Sequence, residues 1–234
     1  MTTGGEEEEK KKTACVTGGN GYIASALIKV LLEKGYVVKT TVRNPDDIAK
    51  NSHFKDLQAL GPLEVFRADL DEEGSFDDAV AGCDYAFLVA APVNLTISLV
   101  SLCSILTIGS SPVPKVYTSV LVALSLLFDD KVAFEMLKGI EKAYGGVHVV
   151  DLDHLCRAQL LMAETETASG RYVCCGFNTT VVEMTRFLAR KYRHYNVIRR
   201  PLEKPRVCLS SAKLVREGLR RPYQHYTANN KAFW

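Results

Sequence analysis

At 234 residues, 47% apolar and 24% charged, the chain can bury a full core, either as one large domain or as one domain with a small lobe. Its net charge of only +2 gives no electrostatic case for nucleic acid or an anionic membrane as partner. Seven scattered cysteines, none in a C-x-x-C pair, argue against a zinc site and for reduced thiols.

Residues 1–12 hold Glu6 to Glu9 and then Lys10 to Lys12, with no apolar core of the kind a signal peptide needs. They read as a solvated, disordered tail, and together with the free cysteines they set the expectation of a cytoplasmic protein. Ala14-Cys15-Val16 then forms a short buried strand. It leads into Thr17-Gly18-Gly19-Asn20-Gly21-Tyr22-Ile23-Ala24 and a helix over 22–34, with Ile23, Leu27, Val30 and Leu31 at helical spacing and Gly35 as the stop. Strand, glycine turn and helix in that order form a dinucleotide-binding context. Gly18 permits the tight turn, and Gly21 lets a diphosphate approach the backbone. Ala24 allows the helix to sit close to the strand. Gly19, Asn20, Tyr22 and Ile23 complete the candidate cradle, where free N–H groups and the positive end of the helix dipole face the phosphates.

A second strand over 37–43 ends at the Asn44-Pro45 turn. Its last residue, Arg43, stands where an acidic residue would select NAD, and a guanidinium there suits the 2′-phosphate of NADP. Lys50 supplies a second candidate charge; a solvated surface role stays open for both residues. A helix over 46–60 ends at Gly61-Pro62, and a third strand covers 63–70. Asp69, with Leu70 beside it, falls where that strand runs out. Its carboxylate is a candidate partner for the adenine amino group or a cap for the next helix, over 75–81. Residues 83–92 make a fourth, wholly apolar strand of the kind buried on both faces, placing Val89, Ala90 and Ala91 at its carboxyl end. Strands alternating with helices at this pace predict an α/β fold of Rossmann type, a doubly wound parallel sheet with ligand beyond the strands' carboxyl ends.

Beyond Asn94 the pattern loosens. Residues 95–108 and 116–128 are apolar, but each stretch is shorter than the roughly 18 residues of a membrane span, so they read as core strand and core helix. A strand over 148–151 and a helix over 152–164 follow. In Asp151-Leu152-Asp153-His154 the reading favours helix capping over metal binding. After these come a strand over 171–175, a strongly amphipathic helix over 180–192 and a capped helix start at 210–215. The basic, aromatic end over 220–234 reads as a tail. The expected organisation is tail (1–12), NADP-binding half (13–94), remaining sheet plus substrate lobe (95–219) and tail (220–234).

These residues resemble the extended short-chain dehydrogenase/reductase superfamily, and within it the plant anthocyanidin and dihydroflavonol reductases. The resemblance rests on the glycine turn, Thr41-Val42-Arg43-Asn44-Pro45, Phe66-Arg67-Ala68-Asp69-Leu70 and Val89-Ala90-Ala91-Pro92-Val93. Further on it rests on His148-Val149-Val150-Asp151-Leu152, Ala168-Ser169-Gly170-Arg171-Tyr172-Val173-Cys174-Cys175 and Ser210-Ser211-Ala212-Lys213-Leu214. It implies NADPH-dependent reduction of anthocyanidins to flavan-3-ols in flavonoid biosynthesis, with a flavonoid-type substrate and no nucleic acid or membrane span. The family's chemistry uses a Tyr and a Lys four residues apart on one helix, with a Ser on the preceding strand, so that the ammonium lowers the phenol pKa. None of the ten tyrosines has Lys four positions later: Tyr22 meets Ala26, Tyr117 meets Leu121, Tyr144 meets His148 and Tyr192 meets Asn196. The chain passes from Pro92-Val93-Asn94 to Leu99-Val100-Ser101-Leu102, which resembles the strand beyond the catalytic helix. Roughly two βα units are therefore missing. The expectations that follow are an incomplete sheet, no catalytic residue, no metal site, reduced stability and loss of activity. The alternative is a non-catalytic NADP-binding or interaction protein, either a splice form or a decayed copy.

Overall fold

The computed structural model describes residues 11–89, 100–113, 115–128, 130–193 and 207–220. The chain divides into two units, Met1–Asn94 and Leu95–Trp234. Most of both proposed tails, and Ala90 and Ala91, lie outside the described residues.

The first unit alternates strand and helix: β1 (Thr13–Val16), α1 (Tyr22–Glu33), β2 (Val37–Val42), α2 (Ile48–Asn51), α3 (Phe54–Gln58), β3 (Leu63–Arg67), α4 (Asp77–Val80) and β4 (Tyr85–Phe87). All strand pairs are parallel and the order is β3-β2-β1-β4, so the chain reverses its winding between β1 and β4. This is a Rossmann-type parallel sheet, as the alternation of elements predicts. Cys15 sits opposite both Lys39 and Ala86, and Ala14, Cys15 and Val16 are wholly buried at the sheet's centre. Leu27, Ile28, Leu31 and Leu32 supply the buried stripe of α1. Gly35, at φ +84°, closes that helix while its N–H bonds to the Leu32 carbonyl and that of Tyr36 to the Leu31 carbonyl, a Schellman arrangement that only a residue tolerant of positive φ allows cheaply.

Two elements differ from the sequence reading. The single helix expected over 46–60 is two short ones broken at Ser52 and His53. Asp47 caps α2 by accepting from the Lys50 N–H, and the Asn51 amide turns back onto the Asn44 and Pro45 carbonyls. His53 is buried on the same side as Phe54 and Leu57. Of the strand expected over 83–92, only Tyr85–Phe87 is strand among the described residues, and there β4 ends the sheet.

The second unit contains β5 (Ser101–Cys103), β6 (Leu106–Ile108), α5 (Thr118–Phe128), α6 (Lys131–Tyr144), β7 (Val147–Asp151), α7 (Leu152–Glu164), β8 (Arg171–Val173), β9 (Phe177–Thr179), α8 (Val181–Lys191) and α9 (Ala212–Arg216). The strands form two small sheets: β5 with β8, parallel, and β6-β7-β9, in which β9 is antiparallel. Leu106, Val122, Leu126, Leu137, Val149 and Leu188 are among the residues of its core. The sequence reading leaves α6 unassigned, although Asp130 caps it and Gly145, at φ +67°, ends it. Ser211 does not cap α9. Its hydroxyl instead bonds to the backbone of Cys175 as acceptor and donor. No described helix is long and apolar enough to cross a membrane.

Candidate functional site

The sequence places its candidate ligand residues after β1, β2, β3 and β4, and parallel pairing carries all four segments to one edge of the first unit's sheet. The joints are direct. Thr17 donates its N–H to the Phe87 carbonyl at 3.0 Å, Gly19 to the Thr41 carbonyl at 2.9 Å, and Ala68 to the Val42 carbonyl at 3.0 Å. The Gly18 N–H reaches the Thr41 hydroxyl at 3.2 Å.

Within the turn, Gly18 holds φ at +72°, a region that penalises any side chain with a Cβ. Gly19 has no space for one: a Cβ there would collide with the Thr40 hydroxyl and lie 3.1 Å from the Phe54 ring. Gly21 bonds back to the Gly18 carbonyl at 2.8 Å and serves as N-cap of α1 without any side-chain cap. The first turn of α1 carries no acidic residue. A helix start with a positive dipole end and neither side-chain cap nor carboxylate is shaped to receive an anion.

Arg43 follows β2 directly, is exposed, and makes no hydrogen bond or ion pair among the described residues. Lys50, within α2, pairs with Asp47 at 2.9 Å while its side chain stays mostly in solvent. Asp69 follows β3. One carboxylate oxygen accepts from the Asp71 N–H at 3.2 Å, and its backbone is pinned by Ser75. It thus stabilises a turn rather than α4, which starts only at Asp77, so the capping alternative takes a different form from the expected one. Leu70 is exposed, and the Val89 N–H bonds to the Phe87 carbonyl.

The sequence reading misses the polar support beneath the turn. Ser25 Oγ lies 2.7 Å from the Gly19 carbonyl and 2.8 Å from that of Gly21, with His53 Nε2 at 3.2 Å. Both side chains are buried. The available signal is a serine on the apolar stripe of α1, one turn past the glycines.

In the second unit the titratable side chains with the chemistry to stand in for a proton donor have structural roles or unsuitable surroundings. His148 sits between the Asn178 side chain at 2.6 Å and the Tyr144 carbonyl at 3.3 Å. Asp151 caps α7, accepting from the Asp153 and His154 N–H groups. Burial raises the Tyr117 phenol above its ordinary pKa, the opposite of what a proton-transferring tyrosine needs. Burial likewise pushes Cys15 to about 11 and Cys156 and Cys174 to about 12, so none of these thiols ionises near neutrality. Among the described residues no group of His, Cys, Asp or Glu could hold a metal ion.

Comparison with known proteins agrees with this architecture. Residues 10–100 match the NmrA-like family. An anthocyanidin reductase of Vitis vinifera, described as (2S)-flavan-3-ol-forming, is 31% identical over an aligned stretch of 310 residues, covering 90% of this chain and 91% of the relative. That stretch is longer than this chain's 234 residues, so the relative carries segments that have no counterpart here. Vestitone reductase from alfalfa superimposes with a TM-score of 0.72 at 24% identity, covering 92% of this chain and 94% of that one. Yeast methylglyoxal/isovaleraldehyde reductase Gre2, solved with NADPH, gives 0.55 at 14% identity, covering 88% and 92%. This chain is a member of the anthocyanidin and dihydroflavonol reductase family, within the extended short-chain dehydrogenase/reductase superfamily.

Proposed function

We propose that the first unit binds a nicotinamide dinucleotide, NADP(H) in preference to NAD(H), and that the chain no longer turns over a flavonoid. One observation carries the binding half: the turn at Gly18 and Gly19 excludes any Cβ at the very place where α1 begins without a cap. The residues of Gly18, Gly19, Asn20, Gly21, Tyr22 and Ile23 would hold the diphosphate. Arg43 and Lys50 would meet the 2′-phosphate, Asp69 and Leu70 the adenine side, and Val89, with Ala90 and Ala91 next in sequence, the nicotinamide side. The arrangement fits the group, since an anion is what the uncapped helix start lacks and an exposed guanidinium stands where the ribose phosphate would fall. When bound, the dinucleotide would supply hydride. Binding of NADPH by the yeast relative supports the reading through shared fold.

The loss of turnover rests on the missing proton donor. The whole sequence contains no Tyr-x-x-x-Lys pair. Removing a positioned general acid typically costs about 10²- to 10⁴-fold. The substrate class is a flavonoid-type small molecule, with no nucleic acid or membrane as partner and a cytoplasmic setting. The test is fluorescence titration of NADPH and NADH into the purified chain, followed by incubation with an anthocyanidin. Saturable binding with NADPH ahead and no flavan-3-ol product supports the proposal. Failure to bind either nucleotide overturns its first half, and product formation its second.

A further inference from the structure

The buried polar groups under the glycine turn carry the argument further. Ser25 has one hydroxyl proton but two carbonyls in reach, Gly19 at 2.7 Å and Gly21 at 2.8 Å. The Gly21 carbonyl also accepts the Ser25 backbone N–H at 2.9 Å, whereas the Gly19 carbonyl has the Ser25 hydroxyl and, at 3.3 Å, His53 Nε2 beside it. A bare ring nitrogen facing a carbonyl oxygen would set lone pair against lone pair, so the contact calls for the Nε2–H tautomer. That one N–H is then shared between the Gly19 carbonyl and Ser25 Oγ at 3.2 Å, and the Ser25 hydroxyl donates to a turn carbonyl. Leaving the buried Gly19 carbonyl without these donors would carry a desolvation penalty, so the pair fixes which way that carbonyl faces.

His53 belongs to a second bridge by virtue of its place in the chain. Asn51, two residues earlier, accepts from the Asn20 side chain at 3.3 Å and donates to the Asn44 and Pro45 carbonyls, each at 2.9 Å. Those carbonyls follow Arg43 directly. One short segment, 51–53, therefore touches the glycine turn at two points and the segment after β2 at a third. Asn51 ends α2 and His53 precedes α3, two residues apart, so one short stretch presents both side chains to these partners.

We propose that His53 and Asn51 are positioning residues that hold the glycine turn and the Arg43 segment in register, so that diphosphate and ribose phosphate are gripped by one preformed unit. Neither side chain need touch the ligand. The inference rests on the dinucleotide reading of the site, so wild-type binding is measured first. If the wild-type chain binds neither nucleotide, the reading and the inference fall together. Given wild-type binding, His53→Leu keeps the bulk and removes the donor, whereas His53→Gln keeps an amide N–H close to the Nε2 position. His53→Leu is expected to weaken NADPH and NADH alike by about tenfold, the worth of one buried hydrogen bond, with His53→Gln restoring affinity to within about threefold. Asn51→Ala is expected to weaken NADPH more than NADH, because it loosens the segment carrying Arg43. Ser25→Ala, which deletes a single oxygen, takes the place of His53→Leu if the latter does not fold, and the same tenfold loss is expected. Leu and Gln variants binding alike, or Ser25→Ala binding like wild type, would overturn the inference while leaving the dinucleotide site intact.

Discussion

Helices α1 and α8 begin in opposite ways, and the contrast separates a helix start built for stability from one built for a ligand. At α8, Thr180 and Glu183 form a reciprocal capping box, and the buried Glu141 of α6 accepts the Val181 N–H at 2.8 Å. Asp130 and Asp151 cap α6 and α7 in the same spirit. Every one of these starts in the second unit is closed by the chain's own oxygen atoms, each closure contributing about 1 kcal/mol. At α1 the chain supplies glycine instead, no cap and no carboxylate. A helix that forgoes that stabilisation, and uses a left-handed Gly18 besides, would be compensated by an anionic ligand at its start, as proposed above.

The comparison breaks most sharply at Gly19. Gly19→Val would drive methyl groups into Thr40 and Phe54, so nucleotide affinity should fall at least a hundredfold in the same titration. Retention of affinity would mean that the turn is not the binding element. Next in size are core truncations. Leu27→Ala and Leu137→Ala remove wholly buried side chains from the first and second unit respectively, each at a cost of about 2–5 kcal/mol read from chemical denaturation. Only the first should weaken nucleotide binding, because all the proposed contacts lie on the first unit. Thr180→Ala should cost about 1 kcal/mol and leave affinity unchanged, since it opens a cap at which no ligand is expected. The smallest effect concerns pH. Burial holds His53 and His154 below the ordinary value of 6.5. The unfolded chain therefore binds protons that the folded chain resists, and stability, complete above about 6.5, declines as pH falls below it. His53→Gln should flatten part of that decline in thermal unfolding followed from pH 7.5 downward.

Much of the first unit was legible because its signals are local. The apolar run Ala14-Cys15-Val16 must be buried on both faces, and three glycines between a strand and a helical stripe leave few alternatives. The order of the strands then follows from right-handed crossovers, which is why residues after β1, β2, β3 and β4 could be assigned to one edge. The Ser25–His53 contact was not legible. It joins residues 28 positions apart, and a buried histidine carries no periodicity of its own. The break between α2 and α3 escaped for a related reason. The Asp47 and Asn51 contacts fix where α2 starts, while Ser52 and His53 keep helical dihedral angles and neither is a residue type that marks a stop. Ser211 shows the same limit from the other side: its spacing suits an N-cap, but tertiary contact with Cys175 claims its hydroxyl. Helix α6 was there to be read, with Asp130 before it, Ala133, Phe134 and Leu137 on its buried face and Gly145 after it.

The dinucleotide site is the claim on which the rest depends, and the direct test compares NADPH with NADH binding to the wild-type chain and to Arg43→Ala. The account expects saturable binding with NADPH favoured, and a loss of about tenfold or more for NADPH alone when the guanidinium is removed, in keeping with one charge-assisted contact to phosphate. Equal affinity for the two nucleotides, unchanged by Arg43→Ala, would contradict the assignment of the ribose phosphate to Arg43. Absence of binding to either would contradict the site itself.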